Sequence, residues 1–506
     1  MNKVKKGIKQ MFLFSKNNCG RVIFSFALLL LFLFCGACSD SGQKEDLKKG
    51  DQAAEADGED SANETEDRLS IPDNLPDIDF GGAKFRISTK RGTLYEIQAE
   101  EENGDILNDT LYARNLKIEE RFNIEIVPVI TEAGDGMTQV KNVQKSIQAG
   151  SDDFDLAATY VFSSGALVSN KLYHNWLDVE HIDFEKPWWI NGINEKFRIG
   201  DAIYTSVGDM SVSTLKLTYA IFFNKRLVAD YGMPDLYKTV ADGEWTIDYF
   251  INLTRDIYSD LDGDGKATID DLYGFSAESA TNLDVYPFSF GIPILKQNGD
   301  GIPEIVINTP RMINAIEKVN ELYWGGNGSH ITVNSPEASY MMFKGGHSVF
   351  VTTWLDHALT TFRDMDDDYG ILPYPKLDST QERYMSGAMD NYSVLGIPVT
   401  APDANMSGII TEALNAESYK LLYPVYYDIA LKVKYARDED SVAMLDIIMG
   451  NRNFDLCTLF TLELSDLTLI CRNLVSKKQN DFASTYERII DKSQKTLENI
   501  ISVYTD

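Results

Sequence analysis

Between residues 80 and 159 the apolar side chains switch back and forth between a two-residue and a 3.6-residue repeat, and this alternation limits the possible architectures more than any other feature. Residues 84–88 read as a strand. Residues 108–122 read as a helix, with Asn108 as N-cap and Leu111, Ile118 and Phe122 on one face. Ile124 and Ile126 alternate as a second strand. Val140, Val143 and Ile147 then fall at helical spacing with Gly150 as the stop, and the apolar run 156–159 supplies a third strand. The order strand, helix, strand, helix, strand predicts a parallel α/β lobe, in which ligands sit beyond the carboxyl ends of the strands.

One such lobe does not use up the chain. At 506 residues with 44% hydrophobic and 11% aromatic content there is material for more than one core. A second lobe is expected to start near Ile221. Its clearest helix opens in GEWTIDYF (243–250), where Thr246 caps the first turn, Trp245 packs on Phe250 as a hydrophobic staple, and the helix continues through Leu253 and Ile257. Residues 481–503 read as a closing helix that packs on a lobe. No internal repeat is present.

The amino-terminal run VIFSFALLLLFLFCGAC (22–38) follows Lys3, Lys5, Lys6, Lys9, Lys16 and Arg21 with no acidic residue among them. Its apolar part is shorter than the roughly 20 residues of a spanning helix, so it reads as a cleaved signal rather than an anchor. Gly36-Ala37 before Cys38 resembles the bacterial lipobox, although Cys35 replaces the usual branched residue. Lipidation of Cys38 and a membrane-anchored, extracytoplasmic location are therefore expected. From residue 39 to about 76 the chain is charged and almost free of large apolar residues, the composition of a disordered tether. The net charge is −30, and −36 without the six basic residues of the signal, which argues against nucleic acid or anionic lipid as a partner. Of five cysteines, Cys457 and Cys471 lie in the body of the chain. They can pair, but two buried thiols are the simpler reading, because nothing else indicates a disulfide framework.

The sharpest local motif is DLDGDGKATIDD (260–271). Asp260, Asp262 and Asp264 occupy positions 1, 3 and 5 of a 12-residue calcium loop, and Gly265 supplies the sharp turn at position 6. Lys266 would give its carbonyl, Thr268 would act directly or through water, and Asp271 closes the loop where an EF-hand has Glu. A single loop fits a structural calcium better than a switch. The competing reading is an Asp/Gly-rich turn without metal. No GxSxG, HExxH, Walker loop or dinucleotide GxGxxG occurs, and His174, His181, His330, His347 and His357 lack metal-ligand spacing. A glycosidase remains open, since it needs only two carboxylates brought together by folding. Trp188, Trp189, Trp324 and Trp354 sit beside polar or turn residues, as rings that stack on sugars do, although core burial is the commoner use of an aromatic.

Taken in order, several tracts resemble the extracellular solute-binding proteins of family 1, the lipoprotein receptors of bacterial ABC importers, especially long divergent members from Firmicutes. They are DILNDTLYARNLKIEERFNIEI (105–126), KPWWI (186–190), FFNKRLVADYGMPDLY (222–237), GEWTIDYF (243–250), MMFKGGHSVF (341–350), DYGILPYPKLDSTQERYMSG (368–387) and KVKYARDEDSVAMLDII (432–448). The resemblance implies an α/β, two-lobed periplasmic-binding-protein-like fold of type 2, each lobe a mixed sheet flanked by helices, with solute held in the cleft. It places crossings near the FFNK tract and near NYSVLGIPVT (391–400). The expected division is a signal (1–37), a tether (38–76), the first part of lobe 1 (77–218), lobe 2 with the calcium-like loop (219–392), a return to lobe 1 (393–450) and C-terminal helices on lobe 2 (451–506).

The leading expectation is a monomeric, non-catalytic receptor that captures a carbohydrate, an oligosaccharide by preference, and delivers it to ABC permease subunits. The ligand would be held by Trp188, Trp189, Asp209, Trp354, Asp390 and Asn391. A cell-surface glycan hydrolase or adhesion lipoprotein is the rival from another class, and a component that presents ligand to a sensor kinase is a third reading on the same fold.

Overall fold

Two separate mixed sheets organise the chain, and the computed structural model describes residues 67–132, 136–333, 335–435 and 438–505. The signal run, Cys38 and most of the tether lie outside these residues. No described helix is long and apolar enough to cross a membrane.

The first sheet has the order β12-β3-β1-β2, from β1 (Ala83–Lys90), β2 (Ile124–Thr131), β3 (Leu156–Tyr160) and β12 (Ser393–Gly396). The first three are mutually parallel, as the alternation predicts, and β12 joins β3 antiparallel, with Ser393 opposite Tyr160. The connecting helices span Ile106–Phe122 and Gly136–Gln148. The first starts earlier than the apolar pattern indicates. Asp105, not Asn108, is the N-cap, its carboxylate accepting from the Leu107 and Asn108 amides at 3.1 Å each. Phe85, Ile87, Ile118, Phe122, Val143 and Leu156 are fully buried between sheet and helices.

The second sheet runs β11-β4-β10-β6-β5, with β9 also on β6. Its strands are β4 (Tyr219–Asn224), β5 (Tyr258–Ser259), β6 (Leu272–Glu278), β9 (Ser329–Thr332), β10 (Ser348–Trp354) and β11 (Tyr369–Leu372), while β7 (Leu295–Gln297) and β8 (Pro303–Ile305) form a separate hairpin. Strands β6, β9 and β10 are parallel, and β4 runs against β10 with Tyr219 opposite Trp354. The Thr246 hydroxyl caps the Ile247–Thr254 helix at 3.3 Å from the Tyr249 amide, and Trp245 meets Phe250 at 5.1 Å between ring centroids. That helix stops at Thr254, one turn short of Ile257, and Thr254 turns its hydroxyl back to the Phe250 carbonyl.

The structure refines the expected chain division at three places. Residues 67–76 are held rather than loose: Arg68 lies over the rings of Tyr419 and Tyr423, Asp73 pairs with Arg121, and Lys186 donates to the Pro72 carbonyl at 2.9 Å. The return to the first lobe ends before residue 450, because the Glu439–Gly450 helix packs on β11 of the second sheet. The Phe482–Thr505 helix touches both the Pro310–Trp324 helix of the second lobe and the Val161–Ser169 helix of the first. Cys457 and Cys471 are both free and buried.

Candidate functional site: a cleft where two sheet edges meet

The carboxyl ends of the parallel strands deliver Lys90 and Tyr160 from the first sheet and Glu278 and Trp354 from the second. Each sheet also holds an antiparallel strand whose first residue arrives at the same edge: Tyr219 opposite Trp354, and Ser393 opposite Tyr160 just after Asp390 and Asn391. Reversing one strand in each sheet therefore brings side chains from distant parts of the sequence to one place. Between them lies a cavity lined by Tyr219, Thr281, Asp284, Phe288, Met389 and Asp390, with Thr458, Thr461, Thr468 and Leu469 closing another side.

On the first lobe's face, the Lys90 ammonium donates to the Asn391 side chain and lies 4.5 Å from the centre of the Tyr160 ring. Burial draws its pKa down to about 8, while Glu96 and Asp390 pull the other way. Asp390 carries a carboxyl that burial pushes up to about 6, with Lys90 opposing. Phe162 stacks on Tyr160 at 5.6 Å. On the other face, the Arg472 guanidinium holds Asp284 through two bonds, Nε to Oδ1 at 2.8 Å being one of them. Glu278 accepts from the amide and hydroxyl of Thr281 at 3.0 Å each. The Tyr219 hydroxyl is fully buried, with Thr281 and Asn282 as its polar neighbours. Trp354 is partly exposed and stands edge-on to Tyr219 at 6.2 Å, braced by His357 at 4.7 Å.

Of the expected ligand residues, the structure gathers Asp390 and Asn391 at this cleft and sets Trp354 next to its Tyr219 wall. Trp188 and Trp189 are elsewhere. They are 0% and 2% exposed, and their indole N–H groups donate to the two oxygens of Glu412 at 2.8 and 3.0 Å, which fixes KPWWI to the Ala404–Glu417 helix. They are core residues, and a sugar cannot reach them. Asp209 is also buried away from the cavity. Burial moves its pKa up to about 7, against the pull of Arg452 and Arg68. Lys90, Tyr160, Tyr219, Asp284 and Arg472 are cleft residues that sequence reasoning did not name. The rule that ligands sit at strand carboxyl ends points to Lys90 and Tyr160, whereas nothing local marks Arg472.

In the calcium-like loop, one carboxylate oxygen each of Asp260, Asp262 and Asp264 come within 4.8 Å of one another. Asp271, the expected closing ligand, is not part of this group. Asp271 is fully buried and accepts from the Leu261 and Thr268 amides at 3.0 and 2.8 Å, Thr268 accepts from the Asp270 amide, and the Lys266 ammonium sits 3.0 Å from Asp264.

No family model matches the chain, and no curated protein matches it. Solved structures do. The galacto-N-biose/lacto-N-biose I-binding protein of the ABC transporter from Bifidobacterium longum, in complex with lacto-N-biose, superposes with a TM-score of 0.54 at 10% identity, over 83% of this chain and 98% of that one. The maltose/maltodextrin-binding domain MalE from Bdellovibrio bacteriovorus, bound to maltotriose, gives 0.53 at 14% identity, over 83% and 100%. An ABC transporter solute-binding protein from Thermotoga lettingae, bound with alpha-D-tagatose, gives 0.51 at 12% identity, over 83% and 99%. The fold is thus the two-lobed α/β fold of periplasmic-type binding proteins. These neighbours are binding proteins rather than enzymes, and their chains align almost end to end with this one.

Proposed function

We propose that the chain is the solute-capturing receptor of an ABC importer and that its ligand is a carbohydrate. The observation that carries the reading is the cleft itself. Two sheet edges bring Tyr160, Tyr219 and Trp354, together with Asp390 and Asn391, to one region, where Tyr219 and Asp390 line a cavity, in a fold whose superposed neighbours hold sugars. Aromatic faces suit the apolar side of a pyranose, and carboxylate, amide and hydroxyl groups suit its hydroxyls. Closure of the lobes on the ligand is the mechanism, driven only by the ligand's stronger interaction with the closed state. Delivery to permease subunits, anchoring through lipid on Cys38 and an extracytoplasmic location belong to the same proposal. So does a structural calcium in the 260–271 loop, for which the support is the mutual approach of Asp260, Asp262 and Asp264.

A thermal-shift screen of the purified protein against mono- and oligosaccharides tests the receptor reading. Ligand at about 100 times its Kd adds roughly 2.7 kcal/mol to the folded state. A selective shift, with the sugar recovered unaltered, is expected. Release of shorter products would instead support a hydrolase. Trp354→Ala should weaken sugar binding roughly tenfold while leaving the fold intact, in line with the loss of one aromatic contact; unchanged affinity would remove Trp354 from the site.

A further inference from the structure

Among the described residues up to 450, the chain passes between its two lobes three times. It leaves the first sheet for β4 through residues 211–218 and returns through residues 387–393, where β12 begins. It leaves again after the Ala404–Glu417 helix for the Glu439–Gly450 helix on β11. The first two passages lie side by side, with the Met389 amide on the Leu217 carbonyl at 2.8 Å and the Tyr219 amide on the Gly387 carbonyl at 3.0 Å. The third is wound as a π-helix over Ser418–Leu422 and Val425–Tyr435, a geometry that elsewhere occurs mostly as single turns and often at functional places.

Each passage carries a buried serine, and the three serines are moored to one corner of the first lobe. Glu96 ends the short helical turn Arg91–Glu96 that follows β1. Its carboxylate accepts from the Ser213 amide at 2.6 Å and from the Ser393 hydroxyl at 2.5 Å, while the Ser213 hydroxyl accepts from the Ser393 amide at 3.0 Å. Arg114, on the Ile106–Phe122 helix, donates to the Glu96 carbonyl and to the Ser418 hydroxyl at 3.0 Å each. Glu96 and Arg114 are 1% and 0% exposed, so a ligand touches neither. A carboxylate buried this deeply is costly unless hydrogen-bonded, and the bonds that satisfy Glu96 come from the first two passages. Lys90 connects the corner to the cleft: its charge is drawn by Glu96, and its ammonium donates to the Asn391 side chain, two residues before Ser393.

We propose that Glu96 and Arg114 form the anchor of the hinge, positioning residues that hold all three passages to one corner of the first lobe so that the second lobe turns about that corner. The inference deepens the receptor reading by naming what guides closure. Its test needs no sugar, so the two fail separately.

The test is a distance measurement on the full-length protein between nitroxide labels at exposed Lys141, in the Gly136–Gln148 helix of the first lobe, and exposed Glu317, in the Pro310–Trp324 helix of the second. The labels are attached through a ketone-bearing unnatural residue, which leaves Cys457 and Cys471 untouched, and double electron–electron resonance is recorded without ligand. Glu96→Ala should broaden the distance distribution and add longer distances. Amide exchange across residues 211–218 and 387–393 should become about tenfold faster, the factor expected when a hydrogen bond to a buried charge is lost. Glu96→Gln keeps an acceptor for the Ser213 amide and a polar group beside the Ser393 hydroxyl, and should return the distribution toward its original width. Val143→Ala truncates the core of the first lobe without touching a passage, and should lower stability while leaving the width unchanged. Should Glu96→Ala not fold, the milder Ser393→Ala and Ser418→Ala each release one passage and are read in the same way. A distribution of original width in folded Glu96→Ala, or in both folded serine variants, overturns the anchor, as does equal broadening in Val143→Ala. Failure of every sugar to bind overturns the receptor reading alone.

Discussion

Replacing Glu412 by Gln should flatten the pH dependence of stability, and the size of the effect follows from the environment of this one carboxyl. Glu412 is fully buried on the Ala404–Glu417 helix and accepts the indole N–H groups of Trp188 and Trp189. Burial raises its pKa from the ordinary 4.5 to about 7, although the two indoles and the Asp183 amide oppose the rise. A carboxyl whose folded pKa is raised keeps its proton where the unfolded chain has lost it. Its contribution to stability is therefore complete below about pH 4.5 and disappears as the pH climbs toward 7. Between pH 5 and pH 8 this removes about 2 to 3 kcal/mol, at roughly 1.4 kcal/mol per tenfold. Asp209 and Asp390, also raised by burial, push in the same direction, so the original protein should weaken further over this range. Glu412→Gln cannot titrate. It loses one indole hydrogen bond at every pH, a constant cost of about 1 kcal/mol, yet its decline between pH 5 and 8 should be smaller than that of the original protein by about 2 to 3 kcal/mol. Urea unfolding at pH 5, 6, 7 and 8 measures both slopes. Parallel declines in the two proteins would show that Glu412 is already ionised at pH 5 and would refute the reasoning.

Gly208→Ala should destabilise the protein by about 1 to 3 kcal/mol, read as a lower urea midpoint, because a Cβ there would lie 2.2 Å from the Oδ1 of buried Asn415, which is fixed by the Met210 amide; an unchanged midpoint would show that Asn415 moves freely. Calcium should raise the melting temperature, a chelator should reverse the rise, and Asp260→Ala should abolish the response; a melting temperature indifferent to calcium would leave the 260–271 loop as a metal-free turn.

The secondary structure was legible where local chemistry decided it. The β1 to β3 alternation, the Thr246 cap and the Trp245 staple depend on residues within one turn or one strand of each other, and the structure has them where the pattern places them. The first helix differs in its start because Asp105 bonds amides from both Leu107 and Asn108, a contact that apolar spacing does not register. The tryptophans show why a site is harder to read than a fold. KPWWI has polar and turn residues around it, which suggested exposure, but the group that satisfies both indoles is Glu412, more than two hundred residues later. Arg472 is the converse case. It belongs to a short apolar helix near the C-terminus, and it reaches the cleft only because tertiary packing sets that helix beside Asp284. Long-range partners of this kind leave no periodic trace in the sequence.

The segment that carries Thr458, Thr461 and Thr468 is pinned at both ends of its reach. The Leu459 carbonyl receives the Gly165 amide of the first lobe at 3.0 Å, and Asp455 receives the Ile294 and Leu295 amides of the second at 2.8 and 3.0 Å. Gly165 has no room even for a methyl group there, since a Cβ would come 2.7 Å from that carbonyl. The segment therefore acts as a crossbar between the two halves, and any hinge travel that admits a ligand has to flex it or break one of its moorings. Cutting the chain short before this crossbar would remove a side of the cavity and, with it, the hydrogen bonds that tie the two halves to each other through this segment.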